Sequence, residues 1–167
     1  MPDTFAGVVT VNVLRELWTL VIESHKDDIA FYSRWSDTLD TTAQEHNPKA
    51  LWVPPTVNVV PEVNTFRTTF QVNLIFLDQT ASDRSAEDRD DTYERMQVLC
   101  VQCLARFNEL YFQQESIYEG VNISLKQEGN ATLTAVWDTV AEMTTGCRMS
   151  VTISSPYQIC ASDYFDA

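Results

Sequence analysis

The stretch FRTTFQVNLIFL, residues 66–77, decides the fold class of this 167-residue chain. Its even-numbered positions are mainly aromatic or aliphatic, whereas the odd-numbered positions up to residue 73 are polar. Alternation with a period of two is typical of a β-strand that buries one face. The odd positions turn apolar at Ile75 and Leu77, so both faces of the sheet are expected to be covered at that end.

Periodic apolar positions elsewhere predict the remaining elements. Residues 147–154 alternate in the same way and predict a second amphipathic strand. Steps of three and four predict two helices, one over residues 12–25 with Asn12 as N-cap and a longer one over about 86–113. Shorter strands are predicted at residues 29–35, 56–60, 121–125 and 133–137, with a turn at Gly129-Asn130.

The order of these elements predicts an α+β fold in a single domain, residues 1–167, with an antiparallel or mixed β-sheet and two main helices packed on one face. The other face is polar and is left for water or a neighbouring subunit. Its side chains are Arg67, Gln71, Asn73, Arg148, Ser150 and Thr152. Arg67, Asn73 and Arg148 are therefore candidate residues of a subunit interface.

A long loop is predicted at about residues 36–55, which are rich in Thr, Asp, Asn and Pro. It is expected to project from the domain, and it contains the mainly apolar run Leu51-Trp52-Val53-Pro54. An apolar run in an exposed loop is a candidate anchor on another subunit. The alternative, that the run folds back onto its own domain, is equally compatible with the sequence.

The charge balance restricts the partners. Twenty-four acidic against eleven basic residues give a net charge of −13. Such a surface repels nucleic-acid phosphates and anionic lipid headgroups, so neither sequence-specific nucleic-acid binding nor membrane binding is expected. Three roles are open for the acidic residues: they provide solubility, they bind a basic partner, or they line a channel through which DNA passes. Residues 1–5 lack the features of a signal peptide and no long apolar run occurs, so cytosolic synthesis with reduced thiols is expected.

The thiol and imidazole side chains do not form a recognisable reactive motif. Cys100 and Cys103 lie mid-helix on its apolar side, where free cysteines are expected to pack as small hydrophobes. Cys147 and Cys160 stand alone, so no zinc site is expected. His25 would end the first helix, where a cation suits the helix dipole, and His46 would lie in the loop.

Catalytic and cofactor-binding signatures are not found either. The chain has four glycines and no phosphate-binding or nucleophile-elbow motif. The acidic run over residues 83–91 lacks the central Gly and closing Glu of a calcium loop, and its interleaved arginines indicate a salt-bridged helix start. We therefore expect no catalytic residues, no cofactor and no metal.

Particular stretches carry a family resemblance. They are FQVNLIFLDQ at residues 70–79, SDRS at residues 82–85, Arg95-Met96 in the long helix, and TGCRMSVTI at residues 145–153 leading to Pro156-Tyr157-Gln158-Ile159-Cys160. Over about residues 66–160 the chain resembles ring-forming tail-terminator and neck proteins, the head-tail connectors of tailed bacteriophages. These motifs are structural rather than catalytic.

The resemblance implies a virion structural protein made in the host cytoplasm, a small α/β sandwich that assembles head to tail into a ring. The ring would be sixfold or twelvefold, would join capsid and portal to tail, and would contact adjoining neck, portal or tail-tube proteins. The acidic charge would suit a lumen through which DNA slides. The alternative is an acidic monomeric inhibitor or immunity-type protein that binds a basic partner, and an enzyme of unrecognised type is the third hypothesis.

Overall fold

The computed structural model describes residues 9–33, 48–63, 65–79, 86–112, 116–137 and 144–157. In chain order the elements are α1 (Val11–Glu23), β1 (Ala30–Tyr32), β2 (Lys49–Glu62), β3 (Thr65–Gln79), α2 (Ala86–Phe107), a π-helical turn (Asn108–Phe112), β4 (Ser116–Tyr118), β5 (Val121–Ile123), β6 (Lys126–Trp137) and β7 (Thr144–Tyr157). A mixed five-stranded sheet carries the two helices on one face, which confirms the predicted α+β architecture.

The sheet has the strand order β1-β2-β3-β7-β6. Only β1 and β2 run parallel, and every other neighbouring pair is antiparallel. The predicted strand at residues 66–77 is the core of β3, the central strand, which pairs with β7 from Phe66↔Tyr157 to Gln79↔Thr144. The two amphipathic strands of the sequence are therefore adjacent, and their apolar faces merge into one surface.

The main core lies between this apolar surface and the helices. Phe70, Leu74 and Phe76 of β3 are at most 1% exposed, and they belong to the same cluster as Leu14 and Trp18 of α1. The N-cap of α1 is Thr10 rather than Asn12, because the Thr10 hydroxyl accepts a 3.3 Å hydrogen bond from the backbone N–H of Val13.

A second, smaller apolar cluster lies on the opposite face of the sheet. Leu51, Ile75, Leu77 and Val136 form it, and each is at most 8% exposed. The expectation that both faces are covered near Ile75 and Leu77 is confirmed. The rest of that face is mainly polar, and Val53 and Val60 of β2 are its apolar positions.

The predicted loop over residues 36–55 is wrong for its last part, because β2 begins at Lys49. Residues 34–47 lie outside the described residues. Prolines and neighbouring polar residues suggested a loop, but the strand tolerates Pro54 and Pro55 at an irregularity between Val53 and Thr56. Proline is accommodated where a strand bulges at a sheet edge, since no ladder partner there needs its N–H.

The predicted turn at Gly129-Asn130 is also wrong, because β6 runs without interruption from Lys126 to Trp137. Gly129 has a φ of 70°, and the register with β7 shifts between Glu128 and Thr132. A glycine with positive φ suits a β-bulge as well as a turn, and the pairing with β7 selects the bulge.

Candidate assembly surface

The β2 side of the β2–β3 hairpin continues beyond the part that packs against the helices, whereas Thr68 and Phe70 of β3 remain buried and β3 stays paired with β7 as far as Tyr157. We call residues 56–62 of β2, residues 65–70 of β3 and the intervening Val63 the arm. Residues 56–62 of β2 all pair with β3, from Thr56↔Gln71 to Glu62↔Thr65. At a rise of about 3.4 Å per residue, the β2 side of the arm is about 20 Å long.

One side of the arm exposes apolar side chains. Val57 and Val59 are 41% and 55% exposed, Phe66 is 37% exposed, and Val63 at the tip is 90% exposed. Val57 pairs with Phe70, whose ring is buried in the main core. Side chains of directly paired residues point to the same face of a sheet. The core face of the sheet therefore continues along β2 as a strip of exposed apolar side chains that includes Pro61, whereas Thr68 and Phe70 beside it on β3 are buried.

Prolines interrupt the outer edge of β2. β1 pairs with β2 only over Lys49 to Leu51. Beyond Leu51, no other strand in the described part of the chain pairs with that edge. Pro54, Pro55 and Pro61 lie along it, and proline has no N–H to donate. The free edge over residues 56–60 is therefore bounded by prolines on both sides.

The polar face of the sheet is organised by side-chain contacts between strands. Ser150 donates a 2.6 Å hydrogen bond to Asn73, and Ser154 donates one of the same length to Glu128. The hydrogen bond from Ser154 lowers the pKa of the Glu128 carboxyl below its usual value. Arg67 lies 3.1 Å from Glu62 and 3.6 Å from Glu128, so it links three strands.

The predicted interface residues divide into two groups. Trp52 and Leu51 are 5% and 2% exposed and lie in the two clusters on opposite faces of the sheet. Of the two alternatives for this run, the structure shows the second, in which it folds back onto its own domain. As candidate interface anchors, Trp52 and Leu51 are therefore corrected to core residues. Pro54 is exposed on the strand edge, and Val53 is half-buried.

The remaining three candidates, Arg67, Asn73 and Arg148, do lie on the same polar face. Arg148 is exposed there, and its strand neighbour is Ile75. Sequence reasoning missed the apolar strip of the arm. The signal is Val57, Val59 and Pro61 at alternate positions, but apolar Val60 obscures the alternation, so the sequence predicts only a short strand there.

The charges are unevenly distributed along the chain. Residues 46–77, which contain β2, the arm and most of β3, include a single acid, Glu62, and two bases. The first half of α2, by contrast, carries five acids, namely Glu87, Asp88, Asp90, Asp91 and Glu94. Arg95 pairs with Asp78 at the end of β3 and joins α2 to the sheet. The arm is thus among the least acidic surfaces of an acidic protein.

Cys100 and Cys103 lie in the core, as predicted, and Cys147 is buried there too. Cys100, Cys103 and Cys147 are at most 1% exposed. Burial raises the pKa of the Cys103 thiol to about 12, and a hydrogen bond with Cys147 together with burial raises the pKa of Cys100. Cys160 lies outside the described residues. Within the described ranges, no three His, Cys, Asp or Glu side chains are grouped closely enough to hold a metal ion.

His25 has a structural role at the end of α1. Its Nε2 lies 2.9 Å from Gln102 Oε1 on α2, and its Nδ1 accepts a hydrogen bond from the backbone N–H of Asp27. These two bonds select the tautomer with the proton on Nε2. The imidazole therefore ties the C-terminal end of α1 to α2. His46 lies outside the described residues.

Comparison with known proteins gives no assignment. No family model matches the chain, and no curated protein matches it. In the part of the chain that the structure describes, neither helix is long and apolar enough to cross a membrane.

Proposed function

We propose that this protein is a virion structural protein, a subunit of a tail-terminator or neck ring that joins capsid and portal to the tail, with no catalytic role. Its partners would be further copies of itself in a sixfold or twelvefold ring, together with adjoining neck, portal or tail-tube proteins. The finished location would be the virion, after synthesis in the host cytoplasm.

The observation that carries this proposal is the exposed apolar strip of the arm. A group of exposed apolar side chains on one element is a candidate protein interface. Val59 on the core face of β2 is 55% exposed, and Val63 in the turn after β2 is 90% exposed. Covering them with another protein removes this apolar surface from water, at about 25 cal/mol per Å².

The polar sheet face supports the same proposal. Asn73 and Ser150 are hydrogen-bonded to each other, which fixes these two side chains before any partner arrives, and Arg67 lies 3.1 and 3.6 Å from two carboxylates. An ordered surface loses less conformational entropy on association. A flat polar face beside an apolar arm is a combination suited to lateral contact between subunits of a ring.

The oligomeric state of the purified chain tests the proposal. We expect annular particles in negative-stain micrographs and a mass that is a multiple of 19.0 kDa by light scattering. The double substitution Val57→Lys/Val59→Lys is expected to give a folded species with the monomer mass, because it places two ammonium groups in the contact.

The matched control is Asn12→Lys/Asn122→Lys, which adds the same charge at two exposed polar positions outside the arm. It should assemble like the wild type. A wild-type protein that stays monomeric at tens of micromolar and shows no annuli, alone or with tail and portal proteins, would refute the proposal.

A second candidate function is an acidic inhibitor or immunity-type protein, and the five acids in the first half of α2 favour it. Such a protein would act as a monomer and bind a basic partner rapidly, with an affinity that falls as salt is added. Capture of one basic protein by the wild type, lost when Asp90, Asp91 and Glu94 are changed to Asn, Asn and Gln, would favour this function.

A further inference from the structure

We infer that the free edge of β2 pairs with the same edge of a second copy, as two antiparallel strands related by a twofold axis at Asn58. The free edge is residues 56–60, between Pro55 and Pro61. This contact goes beyond the proposed ring and does not depend on it. It joins copies in pairs, and the polar face of the sheet stays available for the lateral contacts of a ring.

Pro61 indicates which backbone groups of the free edge point outward. It pairs with Phe66 of β3, and its ring nitrogen has no hydrogen to donate. Proline is accommodated in a paired strand where its nitrogen faces away from the ladder partner. Backbone groups alternate in direction along an antiparallel strand, so those of Val57 and Val59 also face outward. No strand in the described part of the chain pairs with them, so they are free to bond another strand.

The outward groups and the prolines are arranged symmetrically about Asn58. Val57 and Val59 lie one residue away on either side, and Pro55 and Pro61 lie three residues away. In an antiparallel pair centred on Asn58, Val57 of each copy lies opposite Val59 of the other, and the two exchange both backbone hydrogen bonds. Every outward N–H between the prolines then has an acceptor. A centre at Val57 or Val59 would put a valine opposite a proline and lose hydrogen bonds.

The side chains of the free edge also suit this pairing. On the core side of the sheet, the exposed side chains of Val57 and Val59 in one copy face Val59 and Val57 in the other. Cross-strand pairs of β-branched side chains stabilise a sheet. On the other side the two Asn58 side chains meet at the axis, where the amide nitrogen of one can donate to the amide oxygen of the other.

The charges single out this edge from the other edge of the sheet. The free edge of β2 has no charged residue, so two copies with a net charge of −13 approach there at little electrostatic cost. The opposite edge is β6, which carries Lys126 and Glu128 and a bulge at Gly129. Charged side chains and bulges are the features that protect a strand edge from pairing. Self-association through strand addition is therefore expected at β2 and not at β6.

The contact is small, and its strength follows from that. The prolines limit the pairing to five residues, about 17 Å of strand. Such a contact is well below the size of a standard stable interface, and contacts of that class are weak and reversible. We therefore expect a dimer that forms only as the protein concentration rises.

Disulfide trapping tests the inference. The background is Cys160→Ser, because Cys100, Cys103 and Cys147 are buried. Asn58→Cys places two thiols opposite each other at a position without backbone hydrogen bonds, where the α-carbons are about 4.5 Å apart and a disulfide can form. With oxidised glutathione as the oxidant, we expect a covalent dimer and nothing larger on a non-reducing denaturing gel.

The matched control is Val60→Cys, an exposed position on the same edge and the same side of the sheet. In this register Val60 lies opposite Thr56 of the second copy, so the two Val60→Cys thiols are offset by about 14 Å along the strands and should not bond. Equal yields of dimer from the two variants, or no dimer from Asn58→Cys, would overturn the inference.

Sedimentation equilibrium measures the pairing without a cross-link. Asn58→Lys puts two ammonium groups together at the axis and should weaken the dimer about tenfold. Asn12→Lys adds the same charge at an exposed position on α1 and should leave the dimer unchanged. Equal effects of the two substitutions would contradict the register. Annular particles that form although Asn58→Cys gives no dimer would overturn the inference and leave the ring function intact, whereas dimers without annuli under every condition would support the inference and remove the ring function.

Discussion

The indole of Trp18 stacks on the ring of Phe107, with ring centroids 4.0 Å apart and an interplanar angle of 17°. Tyr111 and Phe112 of the π-helical turn close around the same phenyl ring, at centroid distances of 4.9 and 5.2 Å. Phe107 therefore joins the start of the chain, the end of α2 and the turn that follows it. Stacked aromatic pairs contribute about 0.5–1.5 kcal/mol beyond the burial of their area.

Replacing this ring should be among the most damaging changes in the core. We expect Phe107→Ala to lower the free energy of unfolding by about 3–5 kcal/mol, because it removes a fully buried ring and leaves a cavity beside Trp18. Urea titration followed by tryptophan fluorescence measures it. The exposed control Glu94→Ala on the same helix should stay within about 0.5 kcal/mol of the wild type. A loss below 1 kcal/mol for Phe107→Ala would contradict this packing.

Gly146 is required by close contact between β7 and β3. A methyl group at this position would collide with the backbone carbonyl of Phe76 and with the side chain of Leu77. We expect Gly146→Ala to give little soluble protein or a strongly lowered melting temperature. The control Gly129→Ala has open space around it but a φ of 70°, so it should cost only about 1 kcal/mol of strain. Equal stability of the two variants would contradict the close contact between β7 and β3 at Gly146.

Alkaline pH should weaken the fold through Cys103. Burial raises the pKa of this thiol from 9.0 to about 12. The folded state then keeps a proton that the unfolded chain releases, so this stabilisation is complete below pH 9 and is lost as the pH rises towards 12. The loss is up to about 1.4 kcal/mol per pH unit. Urea titrations at pH 8.0, 9.5 and 10.5 should show a smaller decline in the free energy of unfolding for Cys103→Ala than for the wild type. Equal declines in the two proteins would contradict the raised pKa of Cys103.

Added salt should favour assembly. Copies with a net charge of −13 repel one another, and ions screen that repulsion while leaving apolar contact at the arm intact. We expect sedimentation velocity to show ring-sized particles at a lower protein concentration in 500 mM than in 50 mM NaCl. An acidic inhibitor bound to a basic partner would respond in the opposite direction. Dissociation of the particles at high salt would contradict the apolar arm contact.

The sequence by itself determined the fold class and the central elements. Period-two alternation placed β3 and β7, and steps of three and four placed α1 and α2, because burial on one side of a regular element imposes that period. It also placed Cys100 and Cys103 in the core and predicted cover on both faces near Ile75. Each of these is a property of a single helix or strand, and the local sequence pattern is sufficient to predict it.

Three features depend on tertiary contacts and are not predicted by the local sequence. They are the strand conformation of residues 49–55, the bulge at Gly129 and the exposure of the arm. Trp52 is buried because β2 pairs with β3, a contact between segments that the local composition of Pro and Asn does not report. Val57 and Phe70 point to the same face of one sheet, yet Val57 is 41% exposed and Phe70 is 1% exposed. The alternating pattern is the same for both residues. The difference arises because burial depends on which other elements reach a strand, and the chain folds its helices over only part of this sheet.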